Sequence, residues 1–87
     1  MYIILVYDTE AKRNPKILKL CRRYLTWVQN SVFEGELTDA KYRMLKREIE
    51  AIIEDDKDCV VAYVFRTKKY TKRETIGVEK GKPSNIV

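Results

Sequence analysis

Eighty-seven residues, 45% of them hydrophobic, suffice for one domain with a single core and little apolar area to spare. Eighteen Lys and Arg against 13 Asp and Glu leave a net charge of +5, which suits a phosphate-bearing partner as well as it suits solubility. The chain has no histidine, which excludes Ser-His-Asp and Cys-His catalysis and His-metal nucleases; any chemistry must run on carboxylates, amines, hydroxyls or a bound ion.

Residues 2–7, YIILVY, are apolar at every position, so a strand here must be covered on both faces. Alternation puts Ile4, Val6 and Asp8 on one face and Ile3, Leu5 and Tyr7 on the other. Asn14 followed by Pro15 predicts a helix start, with a capping side chain and then a ring whose missing N–H costs nothing in the first turn. The helix, from about 15 to 25, carries Ile17, Leu20, Cys21 and Tyr24 on one stripe and Lys16, Lys19 and Arg23 on the opposite one. In WVQNSVFEGEL, two short β-prone runs flank Asn30-Ser31, and the tolerance of Asn for left-handed backbone predicts a hairpin of 27–29 and 32–37.

Thr38-Asp39 caps a second helix, roughly 39–53, with Tyr42, Leu45, Ile49, Ile52 and Ile53 inward. EDDKD reads as a polar acidic loop, CVVAYVF (59–65) as another apolar strand, RTKKYTKR as a basic connection and ETIGVEK as a short last strand. The order β-α-β-β-α-β with a small extra strand predicts an α+β, ferredoxin-like sandwich: an antiparallel sheet with both helices on one face. A single domain over 1–80 with a tail at 81–87 follows. Two helices leave the second face of the first strand bare, and the simplest cover is the same face of a second copy, so a sheet-to-sheet homodimer is expected. Cys21 and Cys59 lie in apolar runs and read as core thiols of a reducing compartment. No apolar stretch approaches the ~18 residues of a membrane span, and Asp8 interrupts the first run too early for a signal peptide, so a cytoplasmic location is expected.

Asp8 is the candidate metal and catalytic residue. Across a two-fold axis it would approach its own symmetry mate, and two close carboxylates favour a shared cation such as Mg²⁺, which keeps several waters and leans on phosphate oxygens. The other reading is a strand-ending carboxylate that accepts N–H bonds from the next turn. Lys12, Arg13, Lys16, Lys19, Arg22 and Arg23 are candidate phosphate contacts or an ordinary solvated helix face. Arg66, Lys68, Lys69, Lys72 and Arg73, with Tyr70 interleaved, could track a backbone and stack a base, or form a loose loop. Glu34 and Glu36 are exposed strand acids or minor contributors to a metal site, and Trp27 and Phe33 are core or interface aromatics.

YIILVYD ending in Asp, the basic first helix, QNSVFEGEL leading into T-D-A, and the late IGVEK together resemble the Cas-two family, the small CRISPR-associated proteins of spacer acquisition. The resemblance covers essentially the whole chain. It implies a ferredoxin-like homodimer whose C-terminal strand docks on the partner's sheet, with Asp8 as Mg²⁺ ligand. It also implies metal-dependent endoribonuclease activity, in some members on DNA, and a role between two Cas-one integrase dimers holding the duplex DNA of the incoming spacer. Lys12, Arg13 and Lys16 fall where members touch nucleic acid, and Ser31 and Phe33 match the S-V-F motif. Trp27 stands where many members carry a basic residue, which weakens catalysis dependent on an Arg there and leaves the scaffold role intact. A free-standing toxin-like ribonuclease, or an unrelated small-molecule enzyme of the same topology, is the alternative.

Overall fold

The computed structural model describes residues 1–79. Its elements are β1 (Tyr2–Asp8), α1 (Asn14–Tyr24), β2 (Thr26–Gln29), β3 (Val32–Glu36), α2 (Asp39–Ile52) and β4 (Cys59–Phe65), followed by a single 3₁₀ turn over Lys68–Tyr70. The sheet is antiparallel in the order β2-β3-β1-β4, the ferredoxin-like arrangement the sequence predicts. Both helices lie on one face. Ile3, Leu5 and Tyr7 of β1 form one core there with Ile17, Leu20 and Cys21 of α1, Phe33 of β3, and Leu45 and Ile49 of α2. Burial pushes the Cys21 thiol up to about 12, so it packs as a small apolar group.

Local chemistry explains most boundaries. Asn30 takes a left-handed backbone (φ 44°), and the Trp27 indole N–H donates to its carbonyl at 2.9 Å, which closes the β2–β3 turn. Gly35 of β3 lies so close to Leu25 that a Cβ would meet the leucine Cδ2 at 3.1 Å. Thr38 caps α2 as expected, its hydroxyl accepting from the Lys41 N–H at 3.2 Å.

The start of α1 differs from expectation. Arg13, not Asn14, is the N-cap and makes no side-chain capping bond, while the Asn14 carboxamide oxygen accepts from the Thr9 hydroxyl. The turn before the helix fixes this register, because the Arg13 and Asn14 N–H groups both donate to the Glu10 carbonyl, at 2.9 and 3.2 Å.

The opposite face of the sheet carries no helix. In register across it lie Tyr2 and Phe65, Ile4 and Tyr63, Val6 and Val61, and Asp8 and Cys59, with Glu36, Glu34 and Val32 on the β3 side. Val61 and Tyr63 are 42% and 56% exposed, so this face is apolar and open. Cys59 is consequently exposed too, not a core thiol as its apolar run suggested.

The extra C-terminal strand expected from ETIGVEK is not formed by residues 74–79 of a single chain. The backbone from 71 crosses the open face beside Tyr2 and Ile4, where Arg73 meets Glu34 at 2.7 Å. A segment crossing a sheet face has no neighbouring strand to complete a ladder. The remainder of that run and the tail drawn at 81–87 lie outside the described residues.

Candidate nucleic-acid and metal site

Asp8 ends β1 on the open face, exposed and directly across from Cys59. Among the described residues no hydrogen bond or ion pair engages its carboxylate, and no group of three or more His, Cys, Asp or Glu side chains could hold a metal ion. Asp8 is therefore the one carboxylate at the end of β1, with the exposed Cys59 thiol across from it. A single carboxylate fits a hard, largely hydrated cation shared between two chains and does not fit a dedicated cage within one chain.

The loop after Asp8 is drawn inward by an ion pair. Arg13, expected to meet phosphate, is buried and fully engaged within the chain. Its Nε and Nη2 donate to the two carboxylate oxygens of Asp58 at 2.5 and 3.1 Å, its Nη1 donates to Glu54 at 3.0 Å, and its Nη2 reaches Glu10 at 3.0 Å. The Asp58 side chain is 0% exposed and also accepts the backbone N–H groups of Glu10 and Glu54, each at 2.8 Å. The guanidinium beside it, helped by those N–H groups, holds the Asp58 carboxyl far below the usual carboxylate range. The EDDKD loop is therefore more than a solvated acidic connection, because its last acid clamps residues 10–13 to the start of β4. Asp58 stands next to Cys59, the register partner of Asp8, so the clamp closes the sheet where Asp8 is presented. Sequence reading missed it for want of a local signal; only an acid abutting an apolar strand hinted that it would be drawn inward.

The remaining basic candidates separate into two places. Lys12 stays exposed in the loop after Asp8, 4.0 Å from Glu10. Lys16, Lys19 and Arg23 line a shallow groove between α1 and α2 with Leu20, Ala51 and Ile52, on the helix layer and away from the face that carries Asp8. Arg23 is paired there with Glu48 at 2.7 Å, and hydrogen bonds from Tyr24 and Arg23 lower the Glu48 carboxyl from its ordinary value. Lys16, Lys19 and Arg22 are exposed, with no carboxylate partner among the described residues. The structure thus joins Lys12 to the Asp8 loop and leaves the helix bases on a separate surface.

The S-V-F residues sit where β3 meets β1. Phe33 is fully buried on the helix side and stacks on Tyr7 with ring centroids 6.3 Å apart. The Ser31 carbonyl accepts the Tyr7 N–H at 3.1 Å. Burial raises the Tyr7 hydroxyl pKa, and a hydrogen bond with Ser31 pulls partly the other way. Trp27 packs half-buried against the same core. Glu34 faces the open side, where it pairs with Arg73 and accepts from the Tyr2 hydroxyl; burial and that bond push Tyr2 up to about 12. It is committed to holding the crossing segment.

The family model described as CRISPR associated protein Cas2 matches residues 1–73. The chain is 52% identical over 87 residues, all of both chains, to the "CRISPR-associated endoribonuclease Cas2" of Dictyoglomus turgidum. It is 52% identical over 86 residues, 99% of each chain, to the protein of the same name from Thermotoga maritima. Among solved structures, a "Crystal structure of cas2" superposes with a TM-score of 0.85 at 38% identity, over 100% of this chain and 98% of that one. Streptococcus pyogenes Cas2 gives 0.78 at 32% identity, over 88% of this chain and 100% of that one. With the family model matching residues 1–73, a relative 52% identical over the whole chain and a solved structure superposing at a TM-score of 0.85, the chain belongs to the Cas2 family of CRISPR-associated proteins.

Proposed function

We propose that this chain serves CRISPR adaptation as a homodimer, joined open face to open face, that holds nucleic acid and bridges Cas-one integrase dimers. The observation that carries the reading is the helix-free sheet face, where Ile4, Val6, Val61 and Tyr63 form an apolar band that ends at Asp8 and the segment from 71 crosses beside Ile4. Burying such a band against its twin stabilises both copies at about 25 cal/mol per Å² of apolar area removed from water. The same pairing brings two strand-tip carboxylates toward one axis. Exposed Lys12, Lys16 and Lys19 then supply positive surface on the loop and helix layers for the phosphates of duplex DNA or single-stranded RNA. Arg13, paired with Asp58 inside the chain, is not assigned to that contact.

A hydrolytic activity of the endoribonuclease type is the second part of the reading, supported by an exposed, unengaged Asp8 and by the names of the full-length relatives. Asp8 of each chain would hold Mg²⁺, which when bound polarises a phosphodiester and lowers the pKa of water. The protein's own share is to present the carboxylates at a fixed strand end and to attract the polyanion. With no histidine in the chain, proton movement falls to carboxylates, amines, hydroxyls or solvent.

Purified wild type and Asp8→Asn, assayed on RNA and DNA with and without Mg²⁺, separate the two parts. Loss of cleavage in Asp8→Asn with nucleic-acid binding intact supports metal-dependent hydrolysis. Cleavage that persists assigns the activity elsewhere. Charge reversal at Lys16 and Lys19 should weaken duplex binding and spacer uptake. The log–log salt slope should approach about −0.9 per phosphate neutralised on B-form DNA, and a flat salt response would sink the phosphate-binding reading. Sedimentation as a monomer at micromolar concentration would remove the dimer.

A further inference from the structure

We propose that the turn at Lys68–Tyr70 is a separate contact for single-stranded nucleic acid, with an unpaired base stacking on the Tyr70 ring and Arg66, Lys68 and Lys69 meeting the flanking phosphates. This deepens the nucleic-acid-binding reading above and rests on it.

The segment is built, not loose. The Thr67 hydroxyl accepts the Lys69 N–H at 3.1 Å, and both the N–H and the hydroxyl of Thr71 donate to the Lys68 carbonyl at 2.9 Å. These bonds fix a short 3₁₀ turn that holds Tyr70 outward, 84% exposed. An apolar face lies a few residues away, at Tyr2, Ile4 and Tyr63, and the Tyr70 ring stays exposed off it. Presenting a ring to water forgoes that burial, and a flat, exposed aromatic held on a short fixed turn is the arrangement that stacks a base.

The charges agree. Residues 66–72, RTKKYTK, hold four cations and no acid. Lys72 is drawn to Glu74 at 3.2 Å, whereas Arg66, Lys68 and Lys69 have no carboxylate partner among the described residues. The Lys69 ammonium sits 5.7 Å from the centroid of the Tyr70 ring, so the cation and the ring form one surface.

Location sets the ligand class. The turn follows Phe65, the end of β4 opposite Cys59 and Asp8, which puts it about 20 Å along the strand from the candidate metal site at ~3.3 Å per residue. Duplex bases are stacked on one another and hide their faces, so Tyr70 can accept only an unpaired base from RNA, a frayed end or an overhang.

The test is fluorescence anisotropy with a labelled oligouridylate and a labelled blunt duplex DNA, comparing wild type, Tyr70→Phe, Tyr70→Ala and the triple variant Arg66→Gln/Lys68→Gln/Lys69→Gln. Tyr70 lies outside the core, so these variants should fold, which circular dichroism checks. Tyr70→Ala should weaken oligouridylate binding roughly tenfold, Tyr70→Phe should retain it, and duplex affinity should hold in both. The triple variant should flatten the oligouridylate salt slope by about 2, at ~0.7 per phosphate on a single strand. Oligouridylate binding unchanged in Tyr70→Ala would overturn the proposal. Wild type that binds duplex but not oligouridylate would overturn it and leave the scaffold reading standing. Wild type that binds neither would sink both.

Discussion

Arg13 and Asp58 stand 45 positions apart in the chain and share a carboxylate–guanidinium contact sealed from solvent. A charge left in such a place without its partner costs far more than the intact pair contributes. Asp58→Asn should therefore lower the thermal midpoint at neutral pH by on the order of 10 °C, read by circular dichroism. The pH dependence has a definite sign. Because folding depresses the Asp58 pKa, its contribution is complete above the ordinary carboxylate value of about 4 and is lost as the pH falls below it. Wild type and Asp58→Asn should thus converge in acid, and a gap that stays constant down to low pH would contradict the assignment. The place of Asp8 at the end of β1 was legible in the sequence because the apolar run ends on it. Asp58 was not, because its role depends on a cation that only the folded chain brings to it.

At the level of elements, the hairpin was the most readable feature. Asn30 adopts the left-handed backbone its side chain tolerates, and the β2–β3 register follows from it. Asn30→Val should cost about 1–2 kcal/mol in urea denaturation, while Asn30→Gly should stay within a few tenths of wild type. An unaffected Val variant would mean the turn is held by the Trp27 bond alone. Both helices were legible from their apolar stripes. The first turn of α1 was not, since the Lys16 and Ile17 N–H groups donate to the Arg13 carbonyl and the Asn14 carboxamide oxygen accepts from Thr9 instead. The last strand was misjudged for a related reason. ETIGVEK has strand composition, but composition does not supply an adjacent edge, and Arg73 steers the chain across the sheet instead. Splitting the basic candidates between a loop, a helix groove and a buried clamp likewise needed three dimensions.

For the whole molecule, the open face is the surface on which the proposed dimer rests. Val61→Glu places a charge in the middle of the apolar band without touching the helix-side core. Wild type should sediment as a dimer, and Val61→Glu as a monomer with unchanged far-ultraviolet circular dichroism. A Val61→Glu dimer as tight as wild type would show that the pairing surface lies elsewhere. The bareness of this face was legible, because β1 is apolar on both sides while only two helices are available to cover it.

The sheet order also governs when this protein can acquire its form. β1 leaves the ribosome first, yet it lies between β3 and β4, and β4 ends only at Phe65. Its ladder with β4 pairs residues far apart in the sequence, Tyr2 with Phe65 and Asp8 with Cys59, the kind of distant closure that slows folding. Until roughly three-quarters of the chain has been synthesised, the aliphatic N-terminal segment lacks one of its two flanking neighbours. A nascent chain stalled before Cys59 should therefore be protease-sensitive throughout, with no stably folded half to build upon.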